Sequence, residues 1–204
     1  MTTHIAAIID YGVGNIRSVT RVLEATPLTN GDNVEVVVTR DHDQVLTADL
    51  IMLPGVGSFG AATEQLASWK DELVAEIKGG KPTLAVCLGM QLLFDKSEEG
   101  DGEGLGIFSG KVTGLRAQRV PHMGWNEIVD GTGAPSTVPW AYYAHSFACR
   151  PNDESIVAGW TTYEDDRFAS IVRSGNVLGT QFHPEKSDLA GVGLVHSFVA
   201  EVLS

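Results

Sequence analysis

The chain has 204 residues, of which 43% are hydrophobic and 20% charged, and its 14 basic and 26 acidic residues give a formal net charge of −12. This acidic balance disfavours a nucleic-acid partner, because phosphate backbones are repelled by it. The two cysteines allow no disulfide framework or zinc motif, and no apolar run approaches the ~20 residues of a membrane helix or forms a signal peptide, so we expect a cytoplasmic protein without membrane, metal or cofactor.

Short β-branched runs alternate with amphipathic stretches in the first half of the chain. The predicted strands are IAAII (5–9), VEVVV (34–38), LIMLP (50–54) and TLAVC (83–87), and the predicted helices cover about 15–25 and 60–78. Strands that alternate with helices form βαβ units, whose parallel sheet is covered on both faces. The first half therefore predicts a doubly covered parallel sheet.

After Gly110 the pattern changes to short apolar runs at hairpin-like spacing, which predict antiparallel strands beside the parallel sheet. The last periodic stretch, 189–203, predicts a closing helix, and the acidic segment 97–104 is typical of a solvated loop tip. We therefore expect one domain over residues 1–204. Its fold class is α/β, with three layers: a mostly parallel sheet flanked by helices, with antiparallel strands added in the second half.

Cys87 stands where the strand TLAV meets a helical pattern that begins LGMQLLF. This arrangement predicts a nucleophile elbow, a tight turn that projects the side chain from the carboxyl edge of the sheet. Ala85 and Gly89, two residues before and after, leave room for the bend, and the positive end of the helix dipole favours a thiolate. A free cysteine in an apolar run is more often a small core residue, so the elbow needs support from elsewhere in the chain.

That support comes from QFHPEKS at 181–187, where the apolar strand VLGTQF delivers His183 to its carboxyl end. A histidine at this edge of a parallel sheet can face the top of the strand that bears Cys87. Glu185, two residues later on an extended segment, can lie behind the imidazole and fix its tautomer. His-Pro-Glu alone is an ordinary turn tripeptide, but beside an elbow cysteine it predicts a Cys-His-Glu triad.

A third stretch, LPGVGSFG at 53–60, follows directly after the strand LIML. Glycine-rich turns at strand ends let main-chain N–H groups approach a ligand closely. A thioacyl mechanism needs such donors for its tetrahedral oxyanion. The N–H groups of Val56 and Gly57, with that of Leu88, are therefore candidate oxyanion donors, although the same stretch also suits a plain turn between strand and helix.

Five stretches together carry a family resemblance: DYGVGNIRSV, LPGVGSFG, CLGMQLL, VPHMGWNEI and QFHPEKS. They run in this order over nearly the whole chain, and they resemble the glutaminase subunits of imidazole glycerol phosphate synthase, which are class I, triad-type glutamine amidotransferases of histidine biosynthesis. The resemblance implies hydrolysis of glutamine to glutamate and ammonia. It further implies that ammonia passes to a (β/α)8-barrel synthase partner in a heterodimer.

The same resemblance assigns roles to individual residues. It implies Cys87 as the nucleophile, His183 as the general base and acid, and Glu185 as the residue that orients His183. It also implies an oxyanion strand at the PGVG turn, a substrate site and a surface that docks the barrel. The implied substrate site comprises Gly55, Gln91, His145, Ser146 and Phe147, and the implied docking surface comprises Asn15, Trp125 and Lys186.

Two other functions stay open at this point. One is the glutaminase of another amidotransferase, such as the enzyme that makes pyridoxal phosphate, or a thiol hydrolase of similar fold; the stretches DYGVGN and VPHMGWN disfavour it. The other is a catalytically silent interaction subunit, which a complete Cys-His-Glu set disfavours. A partial glycine pattern at Gly12 and Gly14 is a weak dinucleotide motif, because Arg17 occupies the third glycine position.

Overall fold

The structure is a computed structural model that describes residues 2–11, 16–55 and 57–203. Its strands are β1 Thr3–Ile9, β2 Asn33–Thr39, β3 Leu50–Leu53, β4 Thr83–Val86, β5 Lys96–Ser97, β6 Gly110–Gly114, β7 His122–Val129, β8 Pro135–His145, β9 Phe147–Pro151, β10 Val157–Tyr163, β11 Asp166–Ser174 and β12 Val177–Thr180. Its helices are α1 Arg17–Glu24, α2 His42–Thr47, α3 Phe59–Leu66, α4 Lys70–Lys78, α5 Leu88–Leu92 and α6 Asp188–Val202. Among the described residues, no helix is both long and apolar enough to cross a membrane.

The main sheet has nine strands in the order β2-β1-β3-β4-β12-β11-β10-β7-β8. The five strands from β2 to β12 are mutually parallel, and each following strand is antiparallel to its neighbour. A smaller sheet contains β5, β6 and β9. This arrangement confirms the predicted fold class, in which a parallel sheet from the first half of the chain is extended by antiparallel strands from the second half.

The core lies on both faces of the main sheet. Along β1, Ala7 and Ile9 pack in one apolar cluster, whereas Ala6 and Ile8 pack in the other. This alternation follows from the period of two residues in a strand, which sends successive side chains to opposite faces. Helices α3, α4 and α5 contribute buried side chains to the first cluster, and α1 and α6 contribute to the second. Because both faces are covered, the inner strands β3 and β4 are buried along their whole length.

The prediction of one long helix over 60–78 is wrong in one respect, because the stretch contains two helices, α3 and α4. The chain turns between them, and Trp69 adopts φ −138° and ψ 16°, outside the helical region. Its side chain packs in the first cluster with Leu66 and Leu73. Apolar residues spaced at a helical period on both sides of the turn conceal this break in the sequence.

The topology gathers several strand ends at one edge of the sheet. Strands β3, β4 and β12 are neighbours and parallel, so their carboxyl ends lie side by side. The PGVG turn follows β3, Cys87 follows β4, and the segment that carries His183 follows β12. Crevices at the carboxyl ends of parallel strands are where α/β sheets bind ligands. The fold therefore brings the predicted chemical groups together although they are remote in sequence.

The close approach of Gly89, in α5, to the backbone of Leu53, in β3, leads to a prediction about stability. A Cβ atom added at Gly89 would lie 2.0 Å from the carbonyl oxygen of Leu53, so the backbone must shift to admit it. We expect Gly89→Ala to lower the free energy of unfolding by ~1–3 kcal/mol or more, as overpacking does. Denaturant unfolding measures this change.

The matched control is Gly193→Ala, where an added Cβ has open space within helix α6. This substitution should raise the free energy of unfolding by ~0.5–1 kcal/mol, because alanine suits a helix interior better than glycine. Equal effects of the two substitutions would contradict the close approach of α5 to β3.

Candidate active site

Cys87 connects β4 to α5 in a conformation that non-glycine residues rarely adopt, with φ 49° and ψ −104°. Such a backbone costs about 1–3 kcal/mol and persists where the surrounding structure fixes it. One restraint is the N–H of Cys87, which donates to the carbonyl of Thr180 at 2.6 Å and extends the parallel pairing of β4 with β12. The predicted elbow is therefore present, and it directs the side chain away from the strand.

Two glycines allow the chain to pack tightly around this turn. At Gly55 an added Cβ would lie 2.8 Å from the Cβ of Cys87, 2.9 Å from the carbonyl oxygen of Val86 and 3.2 Å from Cε1 of His183. At Gly89 the obstacle is the backbone of Leu53. Any larger residue at either position would displace the elbow or the turn after β3. Both glycines are therefore required by close packing of the main chain around the elbow.

His183 lies beside the thiol, and Glu185 holds its ring. Its Nδ1 forms a hydrogen bond of 3.0 Å with Oε1 of Glu185, and the side chain of Cys87 is near enough to raise the pKa of the ring. Since a carboxylate only accepts hydrogen bonds, Nδ1 carries a proton and the remaining ring nitrogen, Nε2, is left for the thiol. The backbone is fixed as well, because the N–H of His183 donates to the carbonyl of Tyr142 at 3.0 Å.

The surroundings of His183 favour its charged form. Burial of the imidazole lowers its pKa, but hydrogen bonds with Cys87 and Glu185 and the charges of both groups raise it by more, to about 9. The ion pair of His183 with Glu185 is itself buried, with side-chain exposures of 10% and 7%. A positively charged histidine next to a cysteine is typical of enzymes that use the sulfur as a nucleophile.

A second hydrogen-bonded path reaches the sulfur from the other side, and the sequence analysis missed it. Gln181 is fully buried, and its Nε2 donates to Sγ of Cys87 at 3.7 Å. Its Oε1 accepts from Nε2 of Gln91 at 3.3 Å, and the same Nε2 donates to the carbonyl of Phe147 at 3.0 Å. The available signal was the spacing of Gln181 and His183, which lie two residues apart on an extended segment and so share a face.

A cavity of about 290 Å³ opens in front of the sulfur. It is lined by Gly55, Gly57, Cys87, Leu88, Gln91, Glu99, Pro121, Met123, Ala144, His145, Ser146 and Phe147. Every predicted oxyanion and substrate residue within the described parts of the chain is in this set, and Val56 lies outside the described residues. Gly57 has φ 103°, a conformation that favours glycine.

Glu99 was missed, because the acidic segment 97–104 was interpreted as a solvated loop tip. Its carboxylate instead turns inward: Oε2 accepts a hydrogen bond from the N–H of Phe59, at the start of α3, at 2.9 Å. It thereby places an anion on the wall of the cavity that holds Cys87. Among eight residues of acidic and glycine-rich composition, the sequence offered no signal that singles out this carboxylate.

The predicted docking residues that are described lie on one exposed surface. Trp125 is 52% exposed and forms an edge contact with Tyr142, at 6.3 Å between ring centroids. Nζ of Lys186 lies 5.9 Å from the centroid of the same tyrosine. Met123, two residues before Trp125, is 64% exposed and also lines the cavity. We call Met123, Trp125, Tyr142 and Lys186 the aromatic surface; Asn15, the remaining predicted docking residue, lies outside the described residues.

Comparison with known proteins identifies the family. The family model "Glutamine amidotransferase class-I" matches residues 7–198. The chain is 42% identical to the imidazole glycerol phosphate synthase subunit HisH of Pyrococcus furiosus, over 94% of this chain and 96% of that protein. It is 41% identical to the HisH proteins of Haloarcula marismortui, over 97% and 95% of the two chains, and of Aquifex aeolicus, over 94% of each. The chain belongs to the HisH family of class I glutamine amidotransferases.

Solved structures agree with this assignment at the level of the fold. A crystal structure of a glutamine amidotransferase superposes with a TM-score of 0.68, covering 96% of this chain and 98% of the other at 17% identity. At that identity the similarity concerns the fold alone. Within the parts of the chain that the structure describes, no group of three or more His, Cys, Asp or Glu side chains is placed to hold a metal ion.

The two cysteines of this amidotransferase should differ sharply in reactivity. Cys87 borders the cavity beside His183, whereas Cys149 is fully buried in β9, and burial raises its pKa well above the usual range. We expect iodoacetamide at neutral pH to alkylate native protein on Cys87 and to leave Cys149 unmodified until the protein unfolds. Peptide mass mapping measures both sites.

Two variants serve as controls for the alkylation experiment. Cys149→Ala should leave the alkylation rate of Cys87 unchanged, and His183→Asn should slow it because the adjacent cation is lost. If the histidine variant is alkylated as fast as the unmodified protein, then His183 does not activate this thiol.

Proposed function

We propose that the chain is the glutaminase subunit of imidazole glycerol phosphate synthase and hydrolyses glutamine to glutamate and ammonia. The observation that carries this proposal is Cys87 on a strained elbow, beside an ion pair of His183 with Glu185, at the wall of a cavity. Family membership supplies the reaction class, and the names of the relatives supply the enzyme. The site residues supply the mechanism.

In the first half of the reaction the thiolate of Cys87 attacks the side-chain amide carbon of glutamine. A carbon–sulfur bond forms, and the carbonyl electrons move to the oxygen. As the tetrahedral intermediate collapses, the carbon–nitrogen bond breaks, and the proton on Nε2 of His183 passes to the departing nitrogen as ammonia forms. A glutamyl thioester and a neutral imidazole remain.

In the second half a water molecule attacks the thioester. Neutral His183 accepts a proton from the water through Nε2, a carbon–oxygen bond forms and the carbon–sulfur bond breaks. The product forms as the γ-carboxylic acid, loses its proton to solvent and leaves as glutamate, and the thiolate and imidazolium are restored. Glu185 keeps a proton on Nδ1 throughout, which holds the ring with Nε2 towards the sulfur.

The oxyanion needs N–H donors close to Cys87. We assign this role to Leu88, the first residue of α5, and to the main chain at Val56 and Gly57. The close approach of Gly55 to Cys87 supports the assignment, because it brings the PGVG turn alongside the reacting sulfur. Glycines on both sides of Val56 can also absorb the dihedral changes of a peptide flip, which would complete or remove one donor.

Glutamine is recognised by other residues that line the cavity. They are Gln91, the main chain of His145, Ser146 and Phe147, and Gly55. Both amide hydrogens of Gln91 are already donated within the protein, so its Oε1 is the atom left to accept from the substrate. The carboxylate of Glu99, on the wall of the same cavity, suits the α-ammonium group of glutamine, since opposite charges attract.

We further propose that the 204 residues act as one glutamine amidotransferase domain in the cytoplasm, paired with a (β/α)8-barrel synthase subunit that receives the ammonia. The relatives are named as a subunit, which supports a second chain. The aromatic surface supports the place of docking, since it combines exposed Trp125 with Met123 at the cavity wall. Exposed aromatic and methionine side chains are typical of protein interfaces.

A steady-state glutaminase assay tests the proposed function in three settings: the chain alone, the chain with its barrel subunit, and that complex with the nucleotide ligand of the barrel. We expect slow turnover of the chain alone. Turnover of the complex with the nucleotide ligand should be about 10²- to 10³-fold faster, which is the effect of one oxyanion donor on turnover. Cys87→Ala should abolish turnover in every setting, whereas Cys149→Ala should leave it unchanged.

Two outcomes would oppose the proposal. Glutamine turnover that survives in purified Cys87→Ala would remove the triad. Equal rates in all three settings would refute control of the oxyanion site by the partner. Binding of the barrel by Cys87→Ala, measured by size-exclusion chromatography, shows that the variant remains folded.

The pH dependence of turnover follows from the raised pKa of His183. The protonated ring is the acid that ammonia departure needs, and its pKa is about 9, so turnover should hold below that pH and fall as the pH rises through it. In Glu185→Gln the descending limb should move to lower pH, because the carboxylate charge that raises the pKa is gone. A descending limb at the ordinary histidine value of about 6.5 in the unmodified enzyme would contradict this assignment.

A further inference from the structure

Two buried histidines outside the triad face each other across β7 and β8. His122 and His145 are paired in the register of the two strands, and they are 2% and 5% exposed. Nδ1 of His122 lies 3.0 Å from Nε2 of His145. Burial lowers the pKa of His122 to about 4 and that of His145 to about 3, so both rings are neutral near pH 7.

The positions of the hydrogen atoms follow from the partners. Nδ1 of His145 lies 2.9 Å from the carbonyl oxygen of Phe147, which can only accept, so Nδ1 carries the proton. Nε2 of this neutral ring is then an acceptor, and His122 must donate to it from Nδ1. The remaining nitrogen of His122, Nε2, accepts from Nδ2 of Asn126 at 3.4 Å. The chain of hydrogen bonds therefore has one direction, from Asn126 through both histidines to Phe147.

The end of this chain is part of the catalytic cavity. The carbonyl of Phe147 accepts from Nδ1 of His145 and also from Nε2 of Gln91, so both of its lone pairs are used. Gln91 continues through Gln181 to the sulfur of Cys87. Orientation of the segment 145–147 at the cavity wall thus depends on which nitrogen of His145 carries its proton.

The ring of His122 has little freedom to change its own orientation. It stacks on Tyr163 with 4.0 Å between ring centroids and on Tyr143 with 4.7 Å. These two contacts hold Nδ1 towards His145 independently of the hydrogen bond. The position of this donor is therefore fixed in advance of substrate binding.

We infer that His122 is a positioning residue for glutamine: by donating to Nε2 of His145 it holds the ring of His145 in place, and this ring, through Nδ1–H and the carbonyl of Phe147, fixes the main chain of the segment 145–147. The inference rests on the proposed glutaminase function for its substrate. Without the donor, the buried Nε2 of His145 is left unsatisfied. The ring is then held by one hydrogen bond instead of two, and the carbonyl of Phe147 loses a fixed partner at the cavity wall.

Two substitutions separate this role from simple packing. His122→Asn loses both aromatic stacks but keeps an N–H near the place of Nδ1, whereas His122→Leu loses the stacks and the donor. In the complex with the barrel subunit, His122→Leu should raise KM for glutamine about fivefold to a hundredfold, with a smaller effect on kcat. This fold-change corresponds to the free-energy penalty of one buried acceptor that is left without a hydrogen bond. His122→Asn should stay within about threefold of the unmodified KM.

A matched control is His196→Leu, on α6. His196 is partly buried, and its Nε2 forms a hydrogen bond of 3.0 Å with the carbonyl oxygen of Val22. It does not line the catalytic cavity. Its loss should leave KM unchanged. Equal KM values for His122→Asn and His122→Leu, or no change in either, would overturn the inference, because a packing role alone affects both variants alike.

Nitrogen-15 NMR of the full chain tests the tautomer without any variant and without glutamine. We expect His145 and His122 both as Nδ1–H tautomers, and in His122→Leu we expect the Nε2 resonance of His145 to move to the position of a nitrogen that accepts no hydrogen bond. An Nε2–H tautomer of His145 in the unmodified protein would overturn the inference even if no variant folds. If the unmodified complex releases no ammonia, the proposed function fails, and the NMR spectrum still decides whether His122 donates to Nε2 of His145.

Discussion

The backbone of Cys87 is the constraint on which the rest of the site depends. A positive φ at a residue with a side chain is unfavourable, and here it is maintained by the pairing of β4 with β12 and by the chain packed against the turn at Gly55 and Gly89. The pairing of the strands therefore stabilises the strained backbone of the elbow. As a result, the sulfur faces a cavity at the carboxyl edge of the sheet, where three parallel strands end.

Two groups of polar side chains converge on that sulfur and differ in character. One is charged: Glu185 holds His183, and His183 presents a cation to the thiol. The other is neutral: Gln181 donates to the sulfur and is itself held by Gln91. A charged partner changes protonation during the reaction, whereas an amide cannot. The neutral path therefore fixes geometry, and the charged path moves the proton.

The sequence predicted what local chemistry determines. The elbow at Cys87 and the spacing of His183 and Glu185 follow from short-range rules of strand, turn and helix, and the structure has both. The break of the helical stretch at Trp69 was missed, because apolar periodicity does not change where a buried tryptophan turns the chain. Gln181 and Glu99 were missed for another reason. Their partners are Cys87 and Phe59, which lie 94 and 40 residues away along the chain, and no local pattern encodes those contacts.

During turnover Cys87 should form a covalent thioester with the glutamyl group. Rapid acid quenching of the complex with its barrel subunit, its nucleotide ligand and glutamine, followed by peptide mass spectrometry, detects this thioester. We expect a peptide that contains Cys87 and carries one glutamyl group, and no such adduct in Cys87→Ser. A glutamyl group on Cys149, or turnover that continues in Cys87→Ser, would contradict it.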